Sequence, residues 1–399
     1  MKRIKYYLSI LLSLVLLSAC GTPSSTNKGE GGSTSGGNED TIKIGAVTSL
    51  TGAYAPIGTE VVEAVEFAVK EVNENGGILG KQVEVIKEDD EGSPDVGLRK
   101  AERLVNKEGV NFVMGAVSSA VGLAIGAKMP EWNGLYLSSV NKTPKLTTTN
   151  FNKNMFRGNH NDLQDMATIK AWYPQAVKGK TWYMIGADYE WGHSSLARFK
   201  EIAEANGDKV LGEAYTPLGT TDYSSQITNI IASKPDGVWV ALSGSDGINF
   251  MSQAKSFGLM DKTTVVTFLT DLVINGTGSD MVGVLGNANY HYSIDNPKNK
   301  EFVANFEKAV NKKPTVYHGE AYYTLQMLFE GIKAAGSAET EDVMKAMEGL
   351  TIDSLLGEMT VRAEDHQLLH PNFMGEVVEK DGEVTVEIIY ESTIGEANP

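Results

Sequence analysis

One cysteine, Cys20, stands in a chain of 399 residues. No disulfide can form within the chain, and no set of thiolates can hold zinc or an iron–sulfur group. The six histidines are scattered and show no metal-ligand spacing. Positive charge is short: 35 Lys and Arg stand against 51 Asp and Glu, a net charge of −16. Such a surface argues against nucleic acid and anionic lipid as partners. Beyond the first twenty residues no apolar run reaches the roughly 20 residues that cross a bilayer. Catalytic strings are missing too. Gly76-Gly77-Ile78-Leu79-Gly80-Lys81 has the wrong glycine spacing for a phosphate loop, and Gln82 replaces its Ser or Thr. Gly179-Lys180-Thr181 lacks the earlier glycine, and no G-x-G-x-x-G follows the first strand. Gly192-His193-Ser194-Ser195-Leu196 starts like a nucleophile elbow but ends on leucine. His366 and His370, beside Pro371, fall outside any H-E-x-x-H pattern and read as a solvated loop. Binding without reaction is therefore expected, with no cofactor and no metal.

What is present begins with a leader. Lys2, Arg3 and Lys5 precede an apolar stretch at 8–17. That is the length of a signal-peptide core and too short to span a membrane as a helix. The string Leu17-Ser18-Ala19-Cys20-Gly21 resembles a bacterial lipobox, in which Cys20 is lipidated and becomes the mature N-terminus. Two acyl chains, at about 0.8 kcal/mol per buried CH₂, anchor stably. Residues 21–40 are rich in Gly, Ser, Thr and Asn and have no large apolar side chain. They read as a tether. Cleavage before Cys20 removes three positive charges and takes the net charge from −16 to −19.

The rest exceeds one hydrophobic core, so two domains are expected. Strands alternate with amphipathic helices twice over. Strand 41–47 precedes a helix at 59–74, whose Val61, Val65, Ala68, Val69 and Val72 share a face. Strands at 82–88, 110–117 and 135–140 follow, with helices from Pro94 and at 119–132. The second run has strands at 181–186, 209–215, 237–242 and 264–269 and helices at 193–206, 222–233 and 246–257. This rhythm requires parallel sheets with helices on both faces. Helices at 298–311, 318–335 and 340–348 break it, and a hairpin at 374–379 and 383–390 ends the chain. These late elements must join lobes already built, so the chain crosses between lobes more than once and forms a hinge over a cleft.

The order of several short strings then carries a family resemblance. They are Ile44-Gly45-Ala46 with Thr51-Gly52, Ala68-Val69-Lys70-Glu71-Val72-Asn73 with Gly76-Gly77-Ile78 and Gly80, and Asp89-Asp90. They continue with Gly115 and Ser118-Ser119, Thr143-Pro144-Lys145-Leu146-Thr147 and Tyr189-Glu190-Trp191-Gly192. Residues 41–390 resemble the branched-chain amino acid type of ABC-transporter solute-binding protein. The resemblance implies an α/β chain of two Rossmann-like lobes joined by a three-stranded hinge, the type I periplasmic-binding-protein fold. The implied division is signal peptide 1–19, lipidated cysteine and tether 20–40, a first lobe of 41–157 plus 289–372, and a second of 158–288 plus 373–399. The implied partners are a small amino acid, ABC permease subunits, and the membrane through the lipid anchor. The protein would stand as a monomer on the outer face of the cell membrane. A small non-amino-acid carboxylate or amide as ligand, or a sensor role toward a membrane signalling partner, are the alternatives.

The resemblance also names residues. A ligand α-carboxylate would meet Ser118 and Ser119, then Ser139, Val140 and Lys142. Independently of the family, Ser119 stands where a helix opens and free N–H groups receive an anion. Lys142 replaces a threonine of the family. The plain expectation for a loop lysine is an ammonium in water; a backbone N–H donated to the ligand, or a charge against its carboxylate, are the other readings. Asp271 aligns with the acid that meets the ammonium, and lies at the carboxyl end of a strand, where open α/β sheets bind ligands. Trp191, read as a loop residue beside Gly192, would close over the ligand. Tyr54 is placed to line the cleft, with Ile57 where the family has a tyrosine, and Ser243 falls at another tyrosine position.

Overall fold

The computed structural model describes residues 41–176 and 180–398; the leader, the tether and Cys20 lie outside the described residues. The first lobe is built on a parallel sheet of β1 (Thr41–Thr48), β2 (Gln82–Asp89), β3 (Phe112–Gly115), β4 (Leu135–Ser138) and β5 (Met155–Arg157). Its strand order is β2-β1-β3-β4-β5. Helices α1 (Ala55–Glu74), α2 (Pro94–Glu108) and α3 (Ser119–Trp132) connect the first four strands. β3 and β4 are buried at every residue, as expected of parallel strands covered on both faces. α1 begins four residues earlier than its apolar spacing predicts, because Pro56 lies in the first turn, where its fixed φ suits a helix start.

The chain then crosses to the second lobe. α4 (Asp162–Ala176) leads into β6 (Thr181–Ala187), α5 (Glu190–Ala205), β7 (Lys209–Thr216), α6 (Ser224–Ser233) and β8 (Gly237–Ala241). α7 (Gly244–Ser256), β9 (Thr264–Phe268), α8 (Asp271–Thr277) and β10 (Leu285–Ala288) complete the run. A second crossing delivers α9 (Pro297–Val310), α10 (Val316–Ala335) and α11 (Thr340–Met347) to the first lobe. There Phe302 and Phe306 pack on Phe67 of α1 at ring separations of 5.8 and 5.2 Å. A small antiparallel sheet follows, β11 (Thr351–Ser354), β12 (Gly357–Val361) and β13 (Leu368–Leu369). The third crossing returns the chain to the second sheet through β14 (Phe373–Lys380) and β15 (Glu383–Glu391), and α12 (Ile394–Ala397) comes last. That sheet has the order β15-β14-β10-β9-β8-β6-β7. The turn of its hairpin places Asp381 and Gly382 at φ 54° and 81°, the left-handed pair that a two-residue connection requires. No helix among the described residues is long and apolar enough to cross a membrane.

Helix α4, strands β5 and β10 and the small sheet have no counterpart in the sequence reading. α4 buries Asp162, Gln164, Asp165 and Thr168 as well as Met166, Ile169, Trp172 and Tyr173. With polar residues inside, the helix shows no contrast between faces, and periodicity is silent.

The crossings are where polar groups are buried. His160 of the first crossing stacks on His370 of the third with ring centroids 3.8 Å apart, and His160 Nε2 lies 3.1 Å from the carbonyl of His370. His366 stacks on Phe156 at 3.9 Å. The expectation of a solvated loop at His366 and His370 is therefore corrected: both are buried. Their rings find backbone acceptors there, and burial holds both below the usual histidine range, His370 at about 4.

Candidate ligand-binding site

The strand ends of the two sheets face each other across the hinge, and a cavity of about 40 Å³ lies between them. The first lobe lines it with Ile57, Val117, Val140 and Lys142, and α10 adds Val316, Tyr317 and Glu320. The second lobe adds Tyr189, Trp191, Leu242, Ser243, Phe268, Leu269 and Thr270, and Asn289 comes from the second crossing. The lobes touch around this cavity. The N–H of Val316 donates to Asp271 Oδ2 at 3.0 Å, that of Ser245 to the carbonyl of Ala53 at 3.5 Å, and Lys145 meets Glu190 at 2.9 Å. The conformation is closed. Most of the side chains that line the cavity are buried, and they come from both lobes, so a solute reaches it when the lobes part.

The loops of the first lobe at the cavity are tied together by hydrogen bonds. At the end of β3, Gly115 takes φ 115° and Ala116 φ 58°. A Cβ on Gly115 would stand 2.4 Å from the carbonyl oxygen of Val47, so glycine is required. This turn precedes Val117, which lines the cavity just ahead of α3, whereas Ser118, Ser119 and Ser139 are not among the lining residues. The neighbouring loop after β4 is tied to the turn by Asn141, whose Nδ2 donates to the carbonyl of Ala116 at 3.3 Å. From beneath, Arg157 donates to the carbonyls of Asn141 and Thr143 at 2.6 and 2.5 Å. Ser118 is the N-cap residue of α3, but its side chain makes no capping bond. The hydroxyls of Ser119 and Ser139 are buried without a hydrogen-bond partner. An unsatisfied buried hydroxyl costs free energy, and here two of them accompany a helix N-terminus.

Lys142 does not point to water. Its ammonium donates to Asn289 Oδ1 at 2.7 Å, Glu320 Oε1 at 3.1 Å and the carbonyl of His160 at 3.2 Å, with Asp165 Oδ2 3.4 Å away. Burial would depress its pKa, but the carboxylates of Asp165 and Glu320 outweigh burial and hold it above the usual lysine range. Glu320 is pushed up to about 7 by burial, against the pull of Lys142. Sequence reasoning missed this partner because the contact spans 178 residues.

The remaining expectations fall as follows. Trp191 lines the cavity, but from the first turn of α5 rather than from a loop, and its indole N–H is buried without a partner. Glu190 opens that helix and Tyr189 is its N-cap residue. Ser243 and Val140 line the cavity. Tyr54 is not among the lining residues: it is buried, edge-on to the lining residue Tyr189 with ring centroids 6.0 Å apart. Asp271 does not line this cavity. It opens α8 and faces a separate surface cleft shared with Glu60, Lys312 and Thr315. Burial raises its pKa to about 6, and its carboxylate is engaged by the first N–H of α10. Tyr189, Phe268, Tyr317, Glu320 and Asn289 are cavity residues that went unassigned. Tyr189 was in view within the string that ends on Gly192; the others carry no local signal.

Two α/β lobes, crossed three times by the chain and closed over a lined cavity, define a two-lobed solute-binding protein. The chain belongs to the periplasmic binding protein family, whose pattern matches residues 41–383. It is 24% identical over 361 residues to "Leu/Ile/Val-binding protein homolog 4" of Brucella abortus (strain 2308), covering 86% of each chain. It is 28% identical over 324 residues to "Leu/Ile/Val-binding protein BraC3" of Rhizobium johnstonii, covering 80% of this chain and 87% of that one. Among solved structures it resembles a solute binding protein of an ABC transporter from Rhodopseudomonas palustris BisB5 in complex with 3,4-dihydroxybenzoic acid. The TM-score is 0.83 at 25% identity, covering 89% of this chain and 98% of that one. A leucine binding protein from Thermotoga maritima MSB8 shares the fold with a TM-score of 0.77 at 20% identity, covering 87% and 97%.

Proposed function

We propose that this protein is a non-enzymatic, extracytoplasmic receptor that captures a small aliphatic amino acid between its lobes and delivers it to an ABC permease. The carrying observation is the cavity between the lobes, which combines the apolar side chains of Ile57, Val117, Val140 and Leu242 with the polar groups of Lys142, Asn289 and Glu320; Ser119 and Ser139, whose buried hydroxyls have no partner, are close in sequence to the lining residues Val117 and Val140. Helix N–H groups and hydroxyls suit a carboxylate, and the apolar side chains suit a short hydrocarbon. Ligand contacts to both lobes favour the closed form over the open one, which is the signal a permease reads. Leu/Ile/Val-binding relatives agree with this reading. The lobes divide as 41–157 with 289–372 and 158–288 with 373–399, in keeping with strand membership of the two large sheets. Lipidation of Cys20 would hold the receptor, as a monomer, at the membrane's outer face.

An aromatic carboxylate is the second reading, favoured by Tyr189, Trp191, Phe268 and Tyr317 around the cavity and by the dihydroxybenzoate complex of the R. palustris protein. Thermal unfolding and calorimetry with leucine, isoleucine, valine, alanine, benzoate and 3,4-dihydroxybenzoate decide between them. A ligand at a hundredfold excess over its Kd stabilises by about 2.7 kcal/mol. The amino-acid reading predicts that shift with an aliphatic amino acid; binding of the benzoates alone would reject it.

A further inference from the structure

We propose that Glu320, in the first turns of α10, receives the ligand's ammonium group, and that Lys142 positions Glu320 instead of holding the ligand's carboxylate. The proposal rests on the amino-acid reading above and specifies which group meets the ligand's ammonium end.

An ammonium needs an acceptor, best a carboxylate. Among the residues lining the cavity, Glu320 is the one carboxylic acid and Lys142 the one base. Glu320 is fully buried. Its Oε1 accepts from Lys142, while Oε2 is buried without a partner. A buried carboxylate oxygen left unpaired is costly, and an ammonium arriving in the cavity satisfies it. Lys142 is in the opposite condition. An ammonium has three N–H donors, and Asn289, His160 and Glu320 already accept three bonds, with Asp165 close by. No donor is left for a carboxylate. Asp271 lies outside the cavity and accepts from Val316. The placement follows from helix geometry: Val316 and Glu320 are one turn apart, so both reach the cavity from the same face of α10.

Binding of leucine, isoleucine and valine is compared with binding of their deamino acids, such as 4-methylpentanoate for leucine. In the wild-type protein the amino acids should bind at least a hundredfold tighter. Glu320→Gln should weaken them by about a hundred- to several-thousandfold, the range for breaking a buried charged contact, and leave the deamino acids unchanged. A folded Glu320→Gln protein that binds the amino acids within threefold of wild type overturns the proposal. If that variant does not fold, Glu320→Asp keeps the charge and should cost the amino acids alone about tenfold; equal losses for both ligand sets overturn it.

The positioning role has its own readout. Leucine binding requires ionised Glu320, so affinity should fall on acidification. Lys142→Met should move that fall to higher pH, since Glu320 without its cation keeps a proton more readily. Asp165 of α4, Arg157 of β5 and the neighbouring Tyr317 and Tyr323 face the same carboxyl and stay in place. An unmoved pH profile overturns the role assigned to Lys142. If wild-type protein prefers a deamino acid or a benzoate to every amino acid, the ligand reading itself fails, before any variant is made, and this proposal falls with it.

Discussion

Lys142→Met tests whether the buried charge cluster at the hinge holds the lobes as the structure implies. The ammonium lies 3.1 Å from Glu320 Oε1 and 3.4 Å from Asp165 Oδ2, and both carboxylates are shielded from solvent. Methionine keeps most of the volume and the stem contacts, so the change removes charge with little cavity. Breaking a buried ion pair from one side costs about 3–5 kcal/mol. At about 2.1 cal/mol/K per residue, a folded part of about 360 residues loses roughly 0.75 kcal/mol per degree at the midpoint, so Tm should fall by about 4–7 °C. The loss should depend on pH with a definite sign. Glu320 takes up a proton near pH 7 even in the wild type. By pH 5.5 one of the two charges stranded by the substitution is thus already neutral, and the penalty should shrink. Thermal unfolding of both proteins at pH 7.5 and 5.5, followed by circular dichroism and fluorescence, gives the two differences. A Tm within 1 °C of wild type at pH 7.5, or the same drop at both pH values, would refute the cluster's role.

Gly115→Ala should lower Tm by a few degrees, because the new Cβ meets the Val47 carbonyl at 2.4 Å and φ is 115°; a strained backbone residue costs about 1–3 kcal/mol, and an unchanged melting curve would contradict this account of the β3–α3 turn. Cys20→Ser should abolish incorporation of labelled fatty acid while leaving ligand binding by the folded part intact; label still incorporated would reject the lipobox.

Local pattern determined much of this protein. Alternating strand and helix signals, each contained within 5–20 residues, located most of the strands and helices of both lobes, because apolar periodicity and helix-end glycines are properties of neighbours in sequence. The position of Cys20 behind an apolar leader and the absence of catalytic spacing are local in the same sense. Cavity-lining residues at strand ends, such as Val140 and Ser243, could be named because parallel α/β topology dictates where strand ends gather. The tertiary structure alone decided which polar residues are inside. Asp162, Asp165, Lys142, Glu320 and His370 look like solvent-facing residues to any local pattern, since a charged side chain is buried only where partners from distant segments are present. Those partners are assembled by the three crossings: Lys142 from the loop after β4, Asp165 from α4, Asn289 from the second crossing and Glu320 from α10. The charge balance at the cavity is therefore a consequence of chain topology, and the same topology engages Asp271 at the start of α10 and leaves one oxygen of Glu320 unpaired.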